Sequence, residues 1–109
     1  MKILYSCRML IIRWQAPISP NKEQARILME SEGLEPFEEE YKPQVKISEH
    51  RHPFGEVRMV VEGELLFNIA GNQFLLRAGD RLEIPSNTKH WHVNNGQSPC
   101  ICVCAQRPV

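Results

Sequence analysis

The chain has 109 residues, about the size of one domain, and its 13 basic and 13 acidic residues cancel at neutral pH. This balance argues against nucleic acid or an anionic membrane as a partner, because both attract a strongly basic surface. No stretch approaches the roughly 18 consecutive apolar residues of a membrane span. The apolar run at residues 9–12 is too short for a secretion signal, so we expect a cytoplasmic protein with free thiols. Met9 is an alternative initiator, which leaves open whether residues 1–8 belong to the ordered chain.

Residues 1–40 are predicted to form an N-terminal unit that packs on the rest of the domain. It begins with a short strand at residues 10–14 and continues into one amphipathic helix, with Ser19 as N-cap and Gly33 as stop signal. The six glutamates between residues 30 and 40 indicate a solvated connector, with an acidic protein-binding surface as the alternative. One face of the predicted helix carries Ala25, Leu28, Met29 and Glu32.

Residues 41–109 have the pattern of an antiparallel β domain. Short runs of β-type composition alternate with turn residues at intervals of about 8 to 12 residues, which is typical of a sandwich or barrel. The predicted fold class is therefore all-β, a single barrel preceded by one N-terminal α-helix. The predicted strands are residues 45–49, 57–61, 65–69, 74–76, 82–84, 90–93 and 101–103.

All four histidines occur in two pairs with the same spacing, His50 with His52 and His90 with His92. Residues two apart on a strand point to the same face, so each pair presents both imidazoles to the interior or both to solvent. Glu56 has the same parity as the first pair. Two imidazoles and a carboxylate from one region form a ligand set for a divalent transition metal, to which an imidazole of the second pair can be added. For one isolated pair, exposed or packed histidines are the alternative.

Two longer spacings strengthen the metal interpretation. The first is His50-x-His52-x-x-x-Glu56 followed by six residues and Gly63, and the second runs from Gly79 through Pro85, Asn87 and His90 to Asn94. In order and spacing, they resemble the two sequence signatures of the cupin superfamily. The family usually has glycine at the position of Asn87, and asparagine also tolerates a positive φ angle.

The resemblance implies a jelly-roll barrel, also called a double-stranded β-helix, with a metal ion inside it. The implied cofactor is a divalent transition metal, Fe, Mn, Ni or Zn, whose identity the ligands alone do not decide. Cupins commonly dimerise, and apolar residues on both faces of the run at 65–69 agree with a homodimer. At the matching positions, the implied metal ligands are His50, His52, Glu56 and His90.

His92 and Arg58 are the candidate catalytic residues. Because His92 follows His90 by two positions, we expect it next to the metal, where a neutral imidazole can orient water or act as a general base. The alternative is a packed histidine bonded to a backbone carbonyl. Arg58 follows Glu56 by two positions and is expected to face the cavity as a clamp for a substrate carboxylate or phosphate. The alternative for the arginine is an ion pair near the rim with Glu62, Glu64 or Glu83.

The remaining distinctive side chains are interpreted as packing residues. Cys100, Cys102 and Cys104 share one face of the last predicted strand, and donors spread along an extended strand do not meet on one ion. We therefore expect them to be small buried residues. Trp91 is expected to point outward if its neighbour His90 points inward.

The leading function is a small-molecule metalloenzyme of dioxygenase-like type, as the resemblance implies for three histidines and one glutamate. A cupin isomerase or lyase would use the same ligands, and a non-catalytic module that binds a metal or small molecule is the competing class. A metal-free epimerase with a His/Tyr acid–base pair is disfavoured, because Tyr5 and Tyr41 lie outside the predicted strands.

Overall fold

The computed structural model describes residues 9–107. Within this range the chain forms one α-helix and nine β-strands. In chain order the elements are β1 (Leu10–Ile12), α1 (Lys22–Ser31), β2 (Phe37–Tyr41), β3 (Lys46–His50), β4 (Gly55–Glu62), β5 (Glu64–Ile69), β6 (Asn72–Arg77), β7 (Arg81–Ile84), β8 (His90–Val93) and β9 (Cys100–Arg107).

The described strands pair into two antiparallel sheets. One sheet has five strands in the order β1-β7-β4-β9-β2, and the other has four in the order β3-β8-β5-β6. Leu65 and Phe67 of the four-stranded sheet share one buried apolar cluster with Val60 and Leu82 of the five-stranded sheet. Burying each such side chain contributes about 1.5–3 kcal/mol. The predicted all-β jelly roll with one N-terminal helix is confirmed.

The helix begins later than predicted. Its N-cap is Asn21 rather than Ser19, because the Asn21 side chain accepts from the backbone N–H of Gln24 at 2.8 Å while the Gln24 side chain accepts from the N–H of Asn21 at 3.0 Å. Ala25 and Met29 are fully buried, whereas Leu28 is 40% exposed and does not belong to the packing face. The buried residues pack against Val57, Met59, Val103 and Ala105 on the outer side of the five-stranded sheet.

The predicted connector contains a strand that the sequence analysis missed. Residues 37–41 form β2, which pairs with β9 at the edge of the five-stranded sheet. Three consecutive glutamates stand where a strand would show alternation, and two of their charges have partners in other elements. Glu38 lies 3.6 Å from Lys22, and Glu39 accepts a hydrogen bond from Arg58. Both charges are therefore paired within the chain, and the acidic protein-binding surface stays a prediction.

Two tight turns use positive φ angles where the sequence signatures place glycine or asparagine. Gly79 has φ +95°, and a Cβ added there would lie 2.5 Å from Cγ of Trp14. Asn87 has φ +58°, so the expected tolerance of asparagine is confirmed. No helix within residues 9–107 is both long and apolar enough to cross a membrane.

Candidate metal centre

Four predicted ligands come together where β3, β4 and β8 meet. His50 is the last residue of β3 and pairs directly with His90, the first residue of β8. His52 lies in the loop that follows, and Glu56 is the second residue of β4. One ligand atom from each of the four side chains lies within 4.8 Å of all the others.

A β-bulge brings His50 into this group. β3 carries one more residue than β8 between the pairs Ile47–His92 and His50–His90. Ile47 and His50 have opposite parity, yet both line the same cavity, because the extra residue turns His50 to the inner face. The parity argument from the sequence therefore grouped these side chains for an incomplete reason.

The ligand atoms are close enough to share an ion. Nε2 of His52 lies 2.7 Å from Oε2 of Glu56, and Nε2 of His90 lies 3.6 Å from the same oxygen. The ring centroid of His50 is 4.6 Å from that of His52 and 4.4 Å from that of His90. Ligand atoms about 2.0–2.1 Å from one ion lie at most about 4 Å apart, so the four side chains need only small movements to close around it.

Backbone carbonyls fix the tautomers of two ligands. Nδ1 of His50 lies 2.7 Å from the carbonyl oxygen of Ser48, and Nδ1 of His90 lies 2.8 Å from that of Thr88. A carbonyl only accepts, so each Nδ1 donates and each neutral ring keeps its lone pair on Nε2. Nε2 of His90 is buried and has no hydrogen-bond partner among the described residues. The donor set therefore fits a divalent transition metal.

Electrostatics keep the carboxylate ready to bind a cation. Burial alone would raise the pKa of Glu56, but the interaction with His90 and the charge of Arg58 outweigh it and lower that pKa to about 2. Burial lowers the pKa of His52 despite the nearby Glu56 carboxylate, which favours the neutral, metal-binding ring. Burial also opposes protonation of His90, but Glu56 and the Thr88 carbonyl raise its pKa overall.

A cavity of about 430 Å³ opens beside the four ligands. Its walls come from both sheets and from the β3–β4 loop. Besides Ile47 and three of the four ligands, it is lined by Phe37, Glu39, Glu40, Tyr41, Phe54, Val57, Arg58, His92, Cys104, Ala105 and Gln106.

Tyr41 is a cavity residue that was predicted to lie outside the strands. It is the last residue of β2, is only 9% exposed, and donates a hydrogen bond to Glu39. Burial, together with the bond to Glu39, raises the pKa of Tyr41, so the hydroxyl stays protonated. The argument against a His/Tyr pair is therefore wrong for Tyr41, because β2 brings it into the sheet, and Tyr5 lies outside the described residues.

Arg58 points into the cavity as predicted but is already paired. Nη1 donates to Oε1 of Glu39 at 2.7 Å and to the Tyr41 hydroxyl at 3.0 Å, and Nη2 lies 3.4 Å from Oε1 of Glu56. The alternative prediction of an ion pair is correct in kind, but its partners are wrong. Glu62, Glu64 or Glu83 was predicted, and the structure shows Glu39 and Glu56. Glu39 was missed because it lies on the unrecognised strand β2.

His92 lines the cavity, whereas His90 does not. It stacks on Phe67 with 4.6 Å between ring centroids and meets the edge of Tyr41 at 5.0 Å. Neither ring nitrogen has a hydrogen-bond partner among residues 9–107, so the predicted alternative of a carbonyl-bonded histidine is not found. Burial, aided by the charge of Arg58, lowers the pKa of His92 to about 3, and the ring is neutral.

The cysteines of β9 are buried free thiols, as expected for small packing residues. Sγ of Cys100 lies 3.9 Å from Sγ of Cys102. Cys104 lines the cavity and lies 3.2 Å from Nη1 of Arg58. Hydrogen bonding with Cys102 and burial raise the pKa of Cys104, so its thiol is protonated. Trp91 is partly exposed and carries the Lys46 ammonium over its ring at 4.5 Å.

Comparison with known proteins identifies relatives for much of the chain. An acireductone dioxygenase from Methylococcus capsulatus is 42% identical over 59 residues, which are 50% of this chain and 31% of the relative. The polyketide synthase protein CurC from Streptomyces cyaneus is 43% identical over 69 residues, or 62% of this chain and 45% of the relative. The chain thus spans about a third of the acireductone dioxygenases it matches and under half of CurC.

Solved structures show the same fold. An RmlC-like cupin from Shewanella frigidimarina is 26% identical with a TM-score of 0.62, covering 70% of this chain and 67% of its own. An oxalate oxidase is 27% identical with a TM-score of 0.62, covering 71% of this chain and 43% of its own. The cupin-domain family profile matches residues 37–106, from the first residue of β2 almost to the end of β9. This match covers well over half of the protein, and the chain belongs to the cupin-domain family.

Proposed function

We propose that this protein is a metal-dependent cupin that acts on a small oxygenated molecule by dioxygenase-like chemistry. The observation that carries the proposal is the cluster of four ligand atoms within 4.8 Å of one another, beside a cavity of about 430 Å³. The partial similarity to acireductone dioxygenases supports the dioxygenase-like type. The cavity volume suits a small molecule rather than a polymer.

His50, His52, Glu56 and His90 would hold the ion. Imidazole and carboxylate donors suit Fe, Mn, Ni and Zn alike, so the metal is to be identified by experiment. When bound, the ion would supply a Lewis acid that polarises a substrate oxygen and, with Fe or Mn, a redox centre.

His92 and Arg58 have different roles in this proposal. His92 is the catalytic residue that contacts substrate, since both its ring nitrogens are buried without protein partners among the described residues. Arg58 is a positioning residue, because its Nη2 lies on Oε1 of Glu56 while Oε2 of the same carboxylate faces His52. The guanidinium thereby holds one carboxylate oxygen and leaves the other for the ion.

Reconstitution of the metal-free protein with Fe, Mn, Ni or Zn, each assayed for oxygen uptake on diketones, phenols and thiols, tests the proposal. We expect oxygen uptake with a redox-active metal and none after Glu56→Gln. Glu49→Gln, at an exposed position of β3, is the matched control and should retain activity. Tight metal binding without turnover of any compound would contradict the enzyme and favour a non-catalytic binding module.

The contact between Tyr41 and His92 favours a second candidate, a cupin isomerase or lyase. A protonated hydroxyl and a neutral imidazole 5.0 Å apart between ring centroids can act as a proton donor and a proton acceptor. Substrate turnover without oxygen, with deuterium from D₂O incorporated into product and lost in Tyr41→Phe, would select this candidate.

Assembly and location remain predictions. The partly exposed Trp91, Leu66 and Leu75 lie on the outer face of the four-stranded sheet, where the sequence predicted a homodimer contact. Sedimentation analysis of the full chain measures the oligomeric state, and cell fractionation checks the expected cytoplasmic location.

A further inference from the structure

We propose that the cavity selects small chelating ligands whose second oxygen is a carbonyl or hydroxyl, and that Glu39 excludes ligands with a carboxylate or phosphate there. The inference rests on the proposed function, because it assumes that the ligand also binds the metal. In this proposal Arg58 does not clamp a substrate carboxylate or phosphate, as the sequence predicted, and the cavity instead prefers an uncharged oxygen.

Both terminal nitrogens of Arg58 already have carboxylate partners within the protein. Recognition of a carboxylate or phosphate by arginine ordinarily uses two parallel N–H donors. Here Nη1 is held by Glu39 at 2.7 Å and by the Tyr41 hydroxyl at 3.0 Å, and Nη2 faces Glu56 at 3.4 Å. An anion at the edge formed by these two terminal nitrogens would have to displace a carboxylate of the protein itself.

The charge around the guanidinium also opposes a further anion. Glu39 and Glu56 both lie on Arg58, whose side chain is only 7% exposed. The single positive charge is therefore already matched by two negative charges before any ligand enters. A third carboxylate at this position would meet Glu39 at short range and be repelled.

Arg58 and His92 also carry polar atoms that have no hydrogen-bond partner among the described residues. Nε of Arg58 and both ring nitrogens of His92 are buried, and no described residue bonds to them. Arg58 comes from β4 and His92 from β8, so these atoms belong to opposite walls of the cavity. One N–H and one imidazole suit a single carbonyl or hydroxyl oxygen, which needs one or two hydrogen bonds and no full counter-charge.

The test uses two ligands that differ only at the second oxygenated group. Butane-2,3-dione and pyruvate share the acetyl unit, and a methyl ketone in the first stands where the second has a carboxylate. Zn²⁺-loaded protein avoids turnover, and calorimetry gives the dissociation constants. The ratio of the two constants is compared between the wild type, Glu39→Gln and the control Glu38→Gln, whose side chain lies near Lys22 instead.

We expect Glu39→Gln to tighten pyruvate binding by about tenfold and leave dione binding nearly unchanged, because the negative charge that repels a carboxylate beside Arg58 is removed. Glu38→Gln should leave the ratio at the wild-type value. His92→Phe, which keeps the ring against Phe67, should weaken dione binding by about tenfold.

An unchanged ratio in Glu39→Gln overturns the inference, as does failure of both ligands to bind zinc-loaded protein. Failure to bind Zn²⁺ itself would instead contradict the proposed function. The same two ligands would then be compared on metal-free protein, where equal or tighter binding of pyruvate by the wild type counts against the specificity.

Discussion

The cavity and a second region differ in whether their buried polar groups have hydrogen-bond partners. The second region, here called the N-terminal anchor, is where Arg13, Trp14 and Glu32 bond to Asp80 and Arg81. In the anchor, Asp80 accepts bonds from the backbone of Trp14 at 2.9 Å and the side chain of Arg13 at 2.8 Å. Arg81 donates two bonds to Glu32, at 2.7 and 2.6 Å. By contrast, all four buried side-chain atoms that lack a partner within residues 9–107 belong to the ligand cluster and the cavity beside it, on Arg58, His90 and His92.

This difference indicates that the cavity serves binding and the anchor serves stability. A buried polar atom without a partner costs about 1–3 kcal/mol, so a fold keeps such atoms where a bound group can satisfy them. Cavity variants should therefore change binding with little loss of stability. Variants in the N-terminal anchor should lower the stability of the fold and leave metal and ligand binding unchanged.

His90→Ala should weaken metal binding by about a hundredfold or more, because loss of even an outer-shell contact costs about 10- to 100-fold. Competition with a chromogenic chelator measures the affinity. The free energy of unfolding of the metal-free variant should fall by less than it would if an equally buried apolar side chain were truncated to alanine. The reason is that Nε2 of His90 has no hydrogen-bond partner to lose among the described residues. Unchanged metal affinity would remove His90 from the ligand set.

Gly79→Ala should destabilise the fold by about 2–4 kcal/mol, through the positive φ and through overpacking against Trp14. The added Cβ would lie 2.5 Å from Cγ of Trp14. Gly71→Ala is the matched control, with φ +89° and no atom within 4 Å, and should cost about 1 kcal/mol. Denaturant unfolding measures both, and metal affinity should be unchanged. Equal losses in the two variants would show that the Trp14 contact contributes nothing.

Asp80→Asn should cost about 1–2 kcal/mol at neutral pH, because a charged acceptor of several hydrogen bonds is lost. Burial opposes ionisation of Asp80, but bonds from the backbone of Arg77 and Trp14 and from Arg13 lower its pKa below 3.8. The stabilisation is therefore present above about pH 4 and lost as the pH falls through the folded-state pKa. Urea titrations at pH 7 and pH 3 should show the two proteins converging at the lower pH. A difference that stays constant would contradict this assignment.

Asn21→Ala should have the smallest effect, about 1 kcal/mol, because it removes the N-cap of α1. Asn95→Ala, at an exposed loop position, should change stability by less than about 0.5 kcal/mol. Thermal unfolding compares them, and neither should alter ligand binding. If Asn21→Ala weakened metal binding, the anchor and the cavity would be coupled and the separation would fail.

Much of the fold could be predicted because its signals are local. Turn residues at short intervals marked seven of the strands, and β8 has the predicted bounds, His90–Val93. The ligand types could be predicted because the spacing of His50, His52, Glu56 and His90 matches a family signature. Strand β2 was missed, since three glutamates in five residues lack the pattern of a strand and only pairing with β9 makes one.

The sequence by itself determined the kinds of donor atoms available and the order in which the strands occur. Tertiary structure decided which groups meet. The bulge in β3 turns His50 inward, and β2 brings Glu39 and Tyr41 onto Arg58, 19 and 17 residues away along the chain. The physical reason is that periodicity reports the face of each strand, whereas the partner of a buried charge depends on sheet register, which forms only when distant strands pair.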